Sequence, residues 1–173
     1  MVPRALIVTD MLNDFLDPAG ALYVGATGRA IIPFVADLIQ KMRRQGALII
    51  FLADAHDSDD SEFHRFPPHA VKGSWGAALI PELAKAAADL LVTKSTFSGL
   101  FATELQDILQ QHQIAEVHLV GVCTSICIME TARDLVLQGF QVVVHREGVA
   151  DLHQEDNDWA LERMSRLFGV QVV

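Results

Sequence analysis

Short runs of aliphatic and β-branched residues alternate along the chain with stretches in which apolar residues recur at every third or fourth position. The short runs have the composition of buried strands, and the other stretches have helical periodicity. Strands are predicted at residues 5–9, 47–52, 90–93, 117–122, 141–144 and 170–173. Helices are predicted between them from apolar stripes, which comprise Ile31, Val35, Leu38, Ile39 and Met42; Leu105, Ile108 and Leu109; Ile128, Met129, Ala132, Leu135 and Val136; and Trp159, Leu161, Met164, Leu167 and Phe168.

This strict alternation of strands and helices predicts an α/β fold. Parallel strands that are joined through helices have right-handed crossovers, and these cover both faces of the sheet with helices. Gly46 and Gly139 follow two of the helical stripes, at positions where C-terminal caps are expected. A chain of 173 residues, of which 51% are hydrophobic, has the size of one compact domain, so a single domain is predicted over residues 1–173.

The charge and composition of the chain restrict its partners. The formal net charge is −9 and no cluster of Lys and Arg interrupts it, which disfavours binding to phosphate backbones or anionic lipid. No apolar run approaches the roughly 20 residues of a membrane span. Arg4 and Asp10 interrupt the apolar core that a signal peptide would need, so a cytoplasmic protein is expected. Neither nucleic acid nor a membrane is predicted as a partner.

Chemically reactive side chains follow the predicted strands. Asp10 comes after the first strand, Asp54 and His56 after the second, Lys94 after the third, and residues 123–127 after the fourth. Each of these residues alone is more often a cap, a turn former or a surface group. Ligands of doubly wound sheets bind beyond the carboxyl ends of the strands, near the point where strand order reverses. The whole set therefore predicts a functional site at that edge.

The segment after the fourth strand places Cys127 at the start of a predicted helix. The helix dipole favours a thiolate there, although a buried structural cysteine is the alternative for Cys127 alone. Asp10 can take the thiol proton and return it to a leaving amine, while Lys94 keeps both groups charged. Backbone N–H groups of the turn can hold an oxyanion, which indicates acyl transfer. Cys123, the competing nucleophile, precedes the turn and is assigned a backbone role.

A long irregular stretch after the second strand is rich in metal-binding residue types. Asp54, His56, Glu62, His64 and His69 provide carboxylate and imidazole groups, which suit Zn²⁺, Mn²⁺ or Fe²⁺. A loop of this length inside a compact domain is usually functional. A solvated polar loop is the alternative, because further aspartates surround these residues.

Ordered motifs occur along the chain. Residues 10–15 read D-M-L-N-D-F, residues 54–56 read D-A-H, residues 66–69 read F-P-P-H, residues 94–98 read K-S-T-F-S, and residues 121–127 read G-V-C-T-S-I-C. They resemble the general-base motif, the metal segment, the lysine loop and the nucleophile signature of the isochorismatase-like cysteine hydrolases. The metal segment is most similar to that of the nicotinamidases. The resemblance spans essentially the whole chain.

The resemblance implies a three-layer, Rossmann-like fold with a six-stranded parallel sheet of order 3-2-1-4-5-6. It implies that Asp10 is the general base, that Lys94 tunes the charges of the site and that Cys127 is the nucleophile. The backbone N–H groups of Cys123 and Cys127 would hold the oxyanion. The Val122–Cys123 peptide bond would be cis.

The resemblance also implies one divalent metal ion, with zinc as the first choice and manganese or iron as alternatives. Asp54, His56 and His69 would be its ligands. Some family members supply a fourth ligand from Glu and others from His. Glu62 is preferred to His64 for this role, because its spacing from His69 fits the Glu version better.

The substrate that the resemblance implies is nicotinamide. It would be hydrolysed to nicotinate and ammonia through a thioester, as a step of NAD salvage, and pyrazinamide would be a further substrate. The pyridine nitrogen would coordinate the ion, and the ring would lie between Phe15 and Phe66 with its carboxamide carbon facing Cys127. A homo-oligomer, either a dimer or a tetramer, is implied as well.

Departures from the family pattern leave other interpretations open. Leu12 stands where the family often has Gln, Ser74 where Thr is usual, and Phe66 where many members have Trp. The first alternative is a metal-independent isochorismatase-like hydrolase, or a ureido or carbamoyl amidohydrolase, acting on another small molecule. The second is a catalytically silent binding subunit, against which the intact reactive groups argue.

Overall fold

The computed structural model describes residues 2–173, which form one six-stranded sheet in which all neighbouring strands are parallel. The strands are β1 (Arg4–Thr9), β2 (Leu48–Asp54), β3 (Leu90–Lys94), β4 (Glu116–Val122), β5 (Gln141–Ala150) and β6 (Gln171–Val172). Their order across the sheet is β3-β2-β1-β4-β5-β6, which confirms the predicted topology. The order reverses between β1 and β4, so both strands lie at the centre of the sheet.

Helices cover the two faces of this sheet. They are α1 (Asn13–Leu16), α2 (Ala26–Ala30), α3 (Ile32–Arg44), α4 (Leu105–Gln111), α5 (Met129–Leu137) and α6 (Gln154–Arg163). Apolar residues of α1 and α3 pack with Leu6 and Phe51 on one face, whereas those of α4, α5 and α6 pack with Ile7 and Ile50 on the other. Within residues 2–173, no helix combines the length and the apolar character that crossing a membrane requires.

The sequence of α3 shows why these segments form and end where they do. Its apolar stripe is buried at Ile32, Val35, Leu38, Ile39 and Met42. Pro33 lies in the first turn, where its missing N–H removes no helical hydrogen bond. The helix ends at Arg44, and Gly46, two residues later, has a φ of 79°, the left-handed conformation that glycine favours.

The predicted stripe of the last helix is only partly correct. Leu161 and Met164 are buried, but Trp159 is 51% exposed and Leu167 is 55% exposed. The regular helix gives way at residues 164–168 to a π-helical turn, which rotates the following side chains out of the predicted phase. The ring of Trp159 instead lies against the guanidinium of Arg163, whose Cζ is 5.3 Å from the ring centroid.

Strand β5 runs further than its sequence pattern predicts. Its pairing with β4 is interrupted by a bulge and resumes at Val149 and Ala150. The polar residues 145–148 occupy that bulge, so they hide the continuation of the strand from an analysis of hydrophobic periodicity. The extension matters because it carries the chain to Asp151 at the same edge of the sheet as the end of β4.

The close approach of β4 to β1 depends on Gly121. This residue has a φ of 118°, and a Cβ atom added to it would lie 1.9 Å from the carbonyl oxygen of Thr9. Both the backbone conformation and the contact with β1 therefore require glycine. The position is directly next to the strand end that carries the cysteines.

We expect Gly121→Ala to destabilise the fold much more than Gly139→Ala. Both residues have positive φ, but an added Cβ at Gly139 meets no atom within 4 Å. Gly139→Ala should therefore lose only the cost of a strained backbone, roughly 1–2 kcal/mol. Urea unfolding of the two variants measures the difference, and equal losses would show that the contact with Thr9 does not constrain the strand.

Candidate active site

The carboxyl ends of β1, β2, β3 and β4 bring four predicted site residues together. Lys94 Nζ lies 2.8 Å from Asp10 Oδ2 and 3.5 Å from Cys127 Sγ, and it donates a short hydrogen bond to Asp54 Oδ1. The Lys94 side chain is 0% exposed. The ammonium is therefore enclosed by two carboxylates and a thiol, which is the cluster predicted from the strand ends.

Asp10 is held rigidly at the switch point of the sheet. Its backbone has a φ of 52°, and its Oδ1 accepts a hydrogen bond of 2.8 Å from the backbone N–H of Asp54. Burial, together with the charge of Asp54, raises the pKa of Asp10 to about 6, against the opposing effect of Lys94. A carboxylate with this pKa is ionised at neutral pH and is basic enough to exchange protons with a reacting group.

The pKa of Asp54 is shifted in the opposite direction from that of Asp10. Burial acts to raise the pKa of Asp54, but the charge of Lys94 outweighs burial and the pKa is lowered. The same attraction raises the pKa of Lys94 well above its ordinary value, despite the burial of its ammonium. The cluster therefore holds a permanent cation, Lys94, and a permanent anion, Asp54. Asp10 is the member whose pKa is close enough to neutral pH for it to exchange protons during a reaction.

Cys127 lies in a π-helical turn, Thr124–Ile128, between β4 and α5. Burial raises the pKa of Cys127 well above its usual value, and the carboxylates of Asp10 and Asp54 add to this effect while Lys94 opposes it. Burial therefore opposes the thiolate that the helix terminus is predicted to favour. A thiol in this setting needs a base to take its proton when the sulfur reacts.

Cys123 directly follows β4 and lines the same cavity as Cys127. Its backbone is extended, and the Val122–Cys123 peptide bond is cis, as the resemblance implied. Burial and the nearby charge of Asp151 raise the pKa of the Cys123 thiol far above its ordinary range. In contrast to Cys127, it has no hydrogen bond to Lys94 among the described residues.

The long stretch after β2 folds back on itself and brings the predicted metal ligands together. The backbone N–H of His56 donates to the carbonyl of Ala70, and the N–H of Lys72 donates to the carbonyl of His56. This short pairing sets the ring of His56 at 4.8 Å from that of His69, measured between centroids. One nitrogen of each ring and one oxygen of Asp54 all lie within 4.8 Å of one another.

Hydrogen bonds fix which nitrogen each imidazole presents to this cluster. His69 Nδ1 is 2.8 Å from the carbonyl oxygen of Pro67 and must donate to it, which leaves Nε2 as the lone-pair nitrogen. His56 Nδ1 is 3.0 Å from Asp60 Oδ2, and its buried Nε2 makes no hydrogen bond to any described residue. Both Nε2 atoms are therefore available to a cation.

Glu62 and His64 occupy different environments. Glu62 is 8% exposed, with its Oε1 at 3.9 Å from His69 Nε2, whereas His64 is exposed.

The carboxylates around His56, chiefly Asp54, raise the pKa of that imidazole to about 9. An arrangement of acidic groups that attracts a proton this strongly also attracts a metal cation.

Two supporting residues were not found by the sequence analysis. Asp60 Oδ2 lies 3.0 Å from His56 Nδ1 and orients that ring, but no motif or helical spacing marks this residue in the sequence. Asp14 accepts hydrogen bonds from the backbone N–H groups of Ala21 and Ala70 and so fixes the segment beside His69. A Cβ on Gly76 would lie 1.9 Å from Asp14 Oδ2, so the carboxylate is tightly enclosed.

The reactive cluster and the histidine cluster open onto one cavity. Phe15 and Phe66, predicted to hold the substrate ring, both line it, and their ring centroids lie 5.6 Å and 6.2 Å from that of His69. Other lining residues, among them Leu22, Phe97 and Leu152, have no role predicted from the sequence. The cavity is a narrow apolar slot with acidic groups at its base.

Comparison with known proteins agrees with this architecture. The chain matches the Isochorismatase domain family over residues 4–172. It is 36% identical to the nicotinamidase/pyrazinamidase PncA of Bacillus subtilis, with coverage of 99% of this chain and 100% of that one and a TM-score of 0.94. The pyrazinamidase of Pyrococcus horikoshii, solved in complex with zinc, is 33% identical over 98% of each chain with a TM-score of 0.92.

A further relative shows that the family likeness does not by itself guarantee turnover. A protein of Arabidopsis thaliana, described as a probable inactive nicotinamidase, is 32% identical over 76% of this chain and 72% of its own length. The chain belongs to the isochorismatase family of hydrolases, and its structure is close to those of nicotinamidases.

We expect Lys94→Met to destabilise the protein by about 3–5 kcal/mol at neutral pH, because two buried carboxylates lose their cation. The loss should shrink at pH 5, since Asp10 already has a raised pKa and would then be neutralised by a proton. Urea unfolding at both pH values tests this, with Lys85→Met at an exposed lysine as the matched control. An equal loss at both pH values would contradict the charge assignment.

Proposed function

We propose that the protein is a cysteine amidohydrolase that converts nicotinamide to nicotinate and ammonia, with pyrazinamide as a second substrate. The observation that carries the proposal is the position of Cys127. Its sulfur lies against a buried ammonium and carboxylate, at the base of the cavity that also receives His69 and Glu62. Amide hydrolysis requires such a nucleophile beside a proton acceptor, and a pyridine carboxamide requires an additional contact for its ring nitrogen.

In the first step the Cys127 thiol transfers its proton to Asp10 as the sulfur attacks the carboxamide carbon. The raised pKa of Asp10 suits it to accept this proton and to return it to the departing ammonia. Lys94 stays protonated throughout and stabilises the negative charge as it moves from the carboxylate to the sulfur. The products of this step are ammonia and a thioester on Cys127.

The oxyanion of the tetrahedral intermediate would be bound by the backbone N–H groups of Cys123 and Cys127. Other N–H groups of the turn are already occupied, since those of Ile126 and Ile128 donate to the carbonyl of Cys123. The turn follows directly on β4, a central strand of the sheet, which keeps these donors in place before the substrate arrives. Preorganised donors of this kind are effective because they need no rearrangement during the reaction.

Hydrolysis of the thioester completes the cycle. Asp10, once it has released its proton to ammonia, is again a carboxylate and can deprotonate a water molecule for attack on the thioester carbon. The Cys127 sulfur then leaves and recovers a proton from Asp10. One carboxylate therefore acts twice as base and twice as acid, which requires a pKa close to the working pH.

The residues of the histidine cluster fit a divalent metal ion, and zinc is the first choice. Asp54, His56 and His69 would hold it, with Glu62 as the fourth partner. The unpaired buried Nε2 of His56 and the fixed tautomer of His69 supply the donor set that zinc prefers. When bound, the ion would supply a Lewis-acidic site for the ring nitrogen of the substrate.

The lining of the cavity favours an uncharged aromatic substrate. Phe15 and Phe66 offer aromatic surfaces to a planar ring, and Glu62 adds negative charge. Of the described residues that line the cavity, none is Lys or Arg. Apart from the proposed metal ion, a substrate carboxylate would therefore meet no cationic side chain in the described lining, which favours an uncharged amide over isochorismate-like or carbamoyl-amino-acid substrates. Oligomerisation and a cytoplasmic location stay predictions.

Cys127→Ala should abolish turnover, whereas Cys123→Ala should retain substantial activity. Only the sulfur of Cys127 contacts Lys94, and only the backbone of residue 123 is assigned a role. The kcat of each variant for ammonia release from nicotinamide provides the comparison, with circular dichroism as the control for folding. Complete loss of activity in both folded variants would contradict the assignment of a single nucleophile.

Glu62→Ala should weaken metal binding, and His64→Ala should leave it unchanged. Glu62 is buried beside His69 Nε2, but His64 is exposed on the same short turn, so the two variants form a matched pair. Metal content per chain after dialysis against a weak chelator is the measurement. Because the ion positions the ring, its removal should raise KM for nicotinamide more than it lowers kcat, if substrate dissociation is fast.

Two results would contradict this assignment of the metal site. Loss of metal in the His64 variant alone would mean that the ligand set is wrong. A metal-free wild-type protein with full activity would return the chain to the metal-independent amidases.

A further inference from the structure

A buried carboxylate from the end of β5 caps the turn that carries the nucleophile. Asp151 is 5% exposed, and its Oδ2 accepts a hydrogen bond of 2.6 Å from the backbone N–H of Ser125. Ser125 is the second residue of the turn Thr124–Ile128, where N–H groups lack partners within the helix. Asp151 therefore acts as an N-terminal cap that is supplied by a neighbouring strand rather than by the turn itself.

A second buried contact braces the same turn. Thr124, which is 0% exposed, donates a hydrogen bond of 2.6 Å from Oγ1 to Asn157 Oδ1 on α6. The two contacts hold consecutive residues of the turn from two different elements, the end of β5 and the first half of α6. Cys127 follows two residues after Ser125, so its position depends on both.

The segment that carries Asp151 also forms part of the substrate cavity. Leu152, the next residue, lines the cavity that contains Cys127, and its backbone N–H donates a hydrogen bond of 2.8 Å to Asp151 Oδ1. A shift of Asp151 would therefore move a residue of the cavity lining together with the turn that it caps.

We propose that Asp151 and Asn157 are positioning residues, which fix the nucleophile turn so that the Cys127 sulfur and the backbone N–H groups meet the same carbonyl group. The proposal rests on the proposed amide hydrolysis for its kinetic part. Neither residue contacts the reacting atoms, and neither lies in the motifs of the sequence analysis. Misplacement of a reacting group by about 1 Å can lower the rate roughly 100-fold. Loss of the hydrogen bonds from Asp151 and Asn157 to the turn should therefore lower kcat.

The test compares Asp151→Ala with Asp89→Ala, because alanine removes the acceptor oxygen that asparagine would keep. Asp89 is a control that is also buried and accepts a backbone hydrogen bond, from Ala86, but it lies outside the cavity lining and also forms an ion pair with Arg43. We expect Asp151→Ala to lower kcat for nicotinamide by about 10- to 100-fold while KM changes by less than about 3-fold. Asp89→Ala should lower Tm but leave kcat unchanged.

Hydrogen exchange provides a readout that does not need activity. The amide of Ser125, protected by Asp151 in the wild-type protein, should exchange at least about 10-fold faster in Asp151→Ala and at the wild-type rate in Asp89→Ala. NMR of the uniformly labelled protein resolves this single amide. If the wild-type protein releases ammonia from no amide, the proposed function fails, and the exchange rates alone decide whether Asp151 fixes the turn.

A second pair of variants keeps the test decisive if Asp151→Ala does not fold. Thr124→Val removes the hydroxyl at nearly constant volume, and Thr124→Ser retains it. We expect the valine variant to lose kcat and the serine variant to recover most of it. Unchanged kcat in both Asp151→Ala and Thr124→Val, or unchanged exchange of Ser125 in Asp151→Ala, would overturn the proposal.

Discussion

The ammonium of Lys94 is the group on which the rest of the site depends. It is completely buried among Asp10, Asp54 and the Cys127 sulfur, each contributed by the end of a different strand or the turn that follows one. Without it, two carboxylates would face each other in a water-poor interior, which is strongly unfavourable. The cation therefore stabilises the meeting of these strand ends. Its attraction lowers the pKa of Asp54, but at Asp10 it only partly offsets the burial and the Asp54 charge that raise the pKa to about 6.

This electrostatic arrangement connects the two halves of the site. Asp54 accepts a hydrogen bond from Lys94 through one oxygen and directs the other toward His56, whose Nε2 is 3.7 Å away. Asp54 therefore belongs to both halves of the site. It pairs with the ammonium that contacts Cys127, and it adds to the negative charge that attracts a cation to the histidines. A change in one half is expected to alter the other, so the metal site is linked to the protonation of the Cys127 thiol.

Much of the fold followed from the sequence, because strands and helices with simple periodicity pack as their patterns indicate. The exceptions have local causes: the π-helical turn after α6 exposes Leu167, and the bulge in β5 hides the last strand residues. Residues with side chains at strand ends could be predicted because topology alone brings them together. Asp151 could not, since its partner is a backbone N–H that no sequence pattern records. The raised pKa of Cys127 could not be predicted either, because burial depends on the packing around the turn.

The central claim is that the Cys127 sulfur becomes acylated during amide hydrolysis, and rapid acid quenching during turnover tests it most directly. Intact-protein and peptide mass spectrometry of the quenched enzyme would locate the intermediate. With nicotinamide as substrate, the account predicts a nicotinoyl thioester on the peptide that contains Cys127, and none in Cys127→Ala. A nicotinoyl group on Cys123, or steady turnover in the Cys127→Ala protein, would contradict the account.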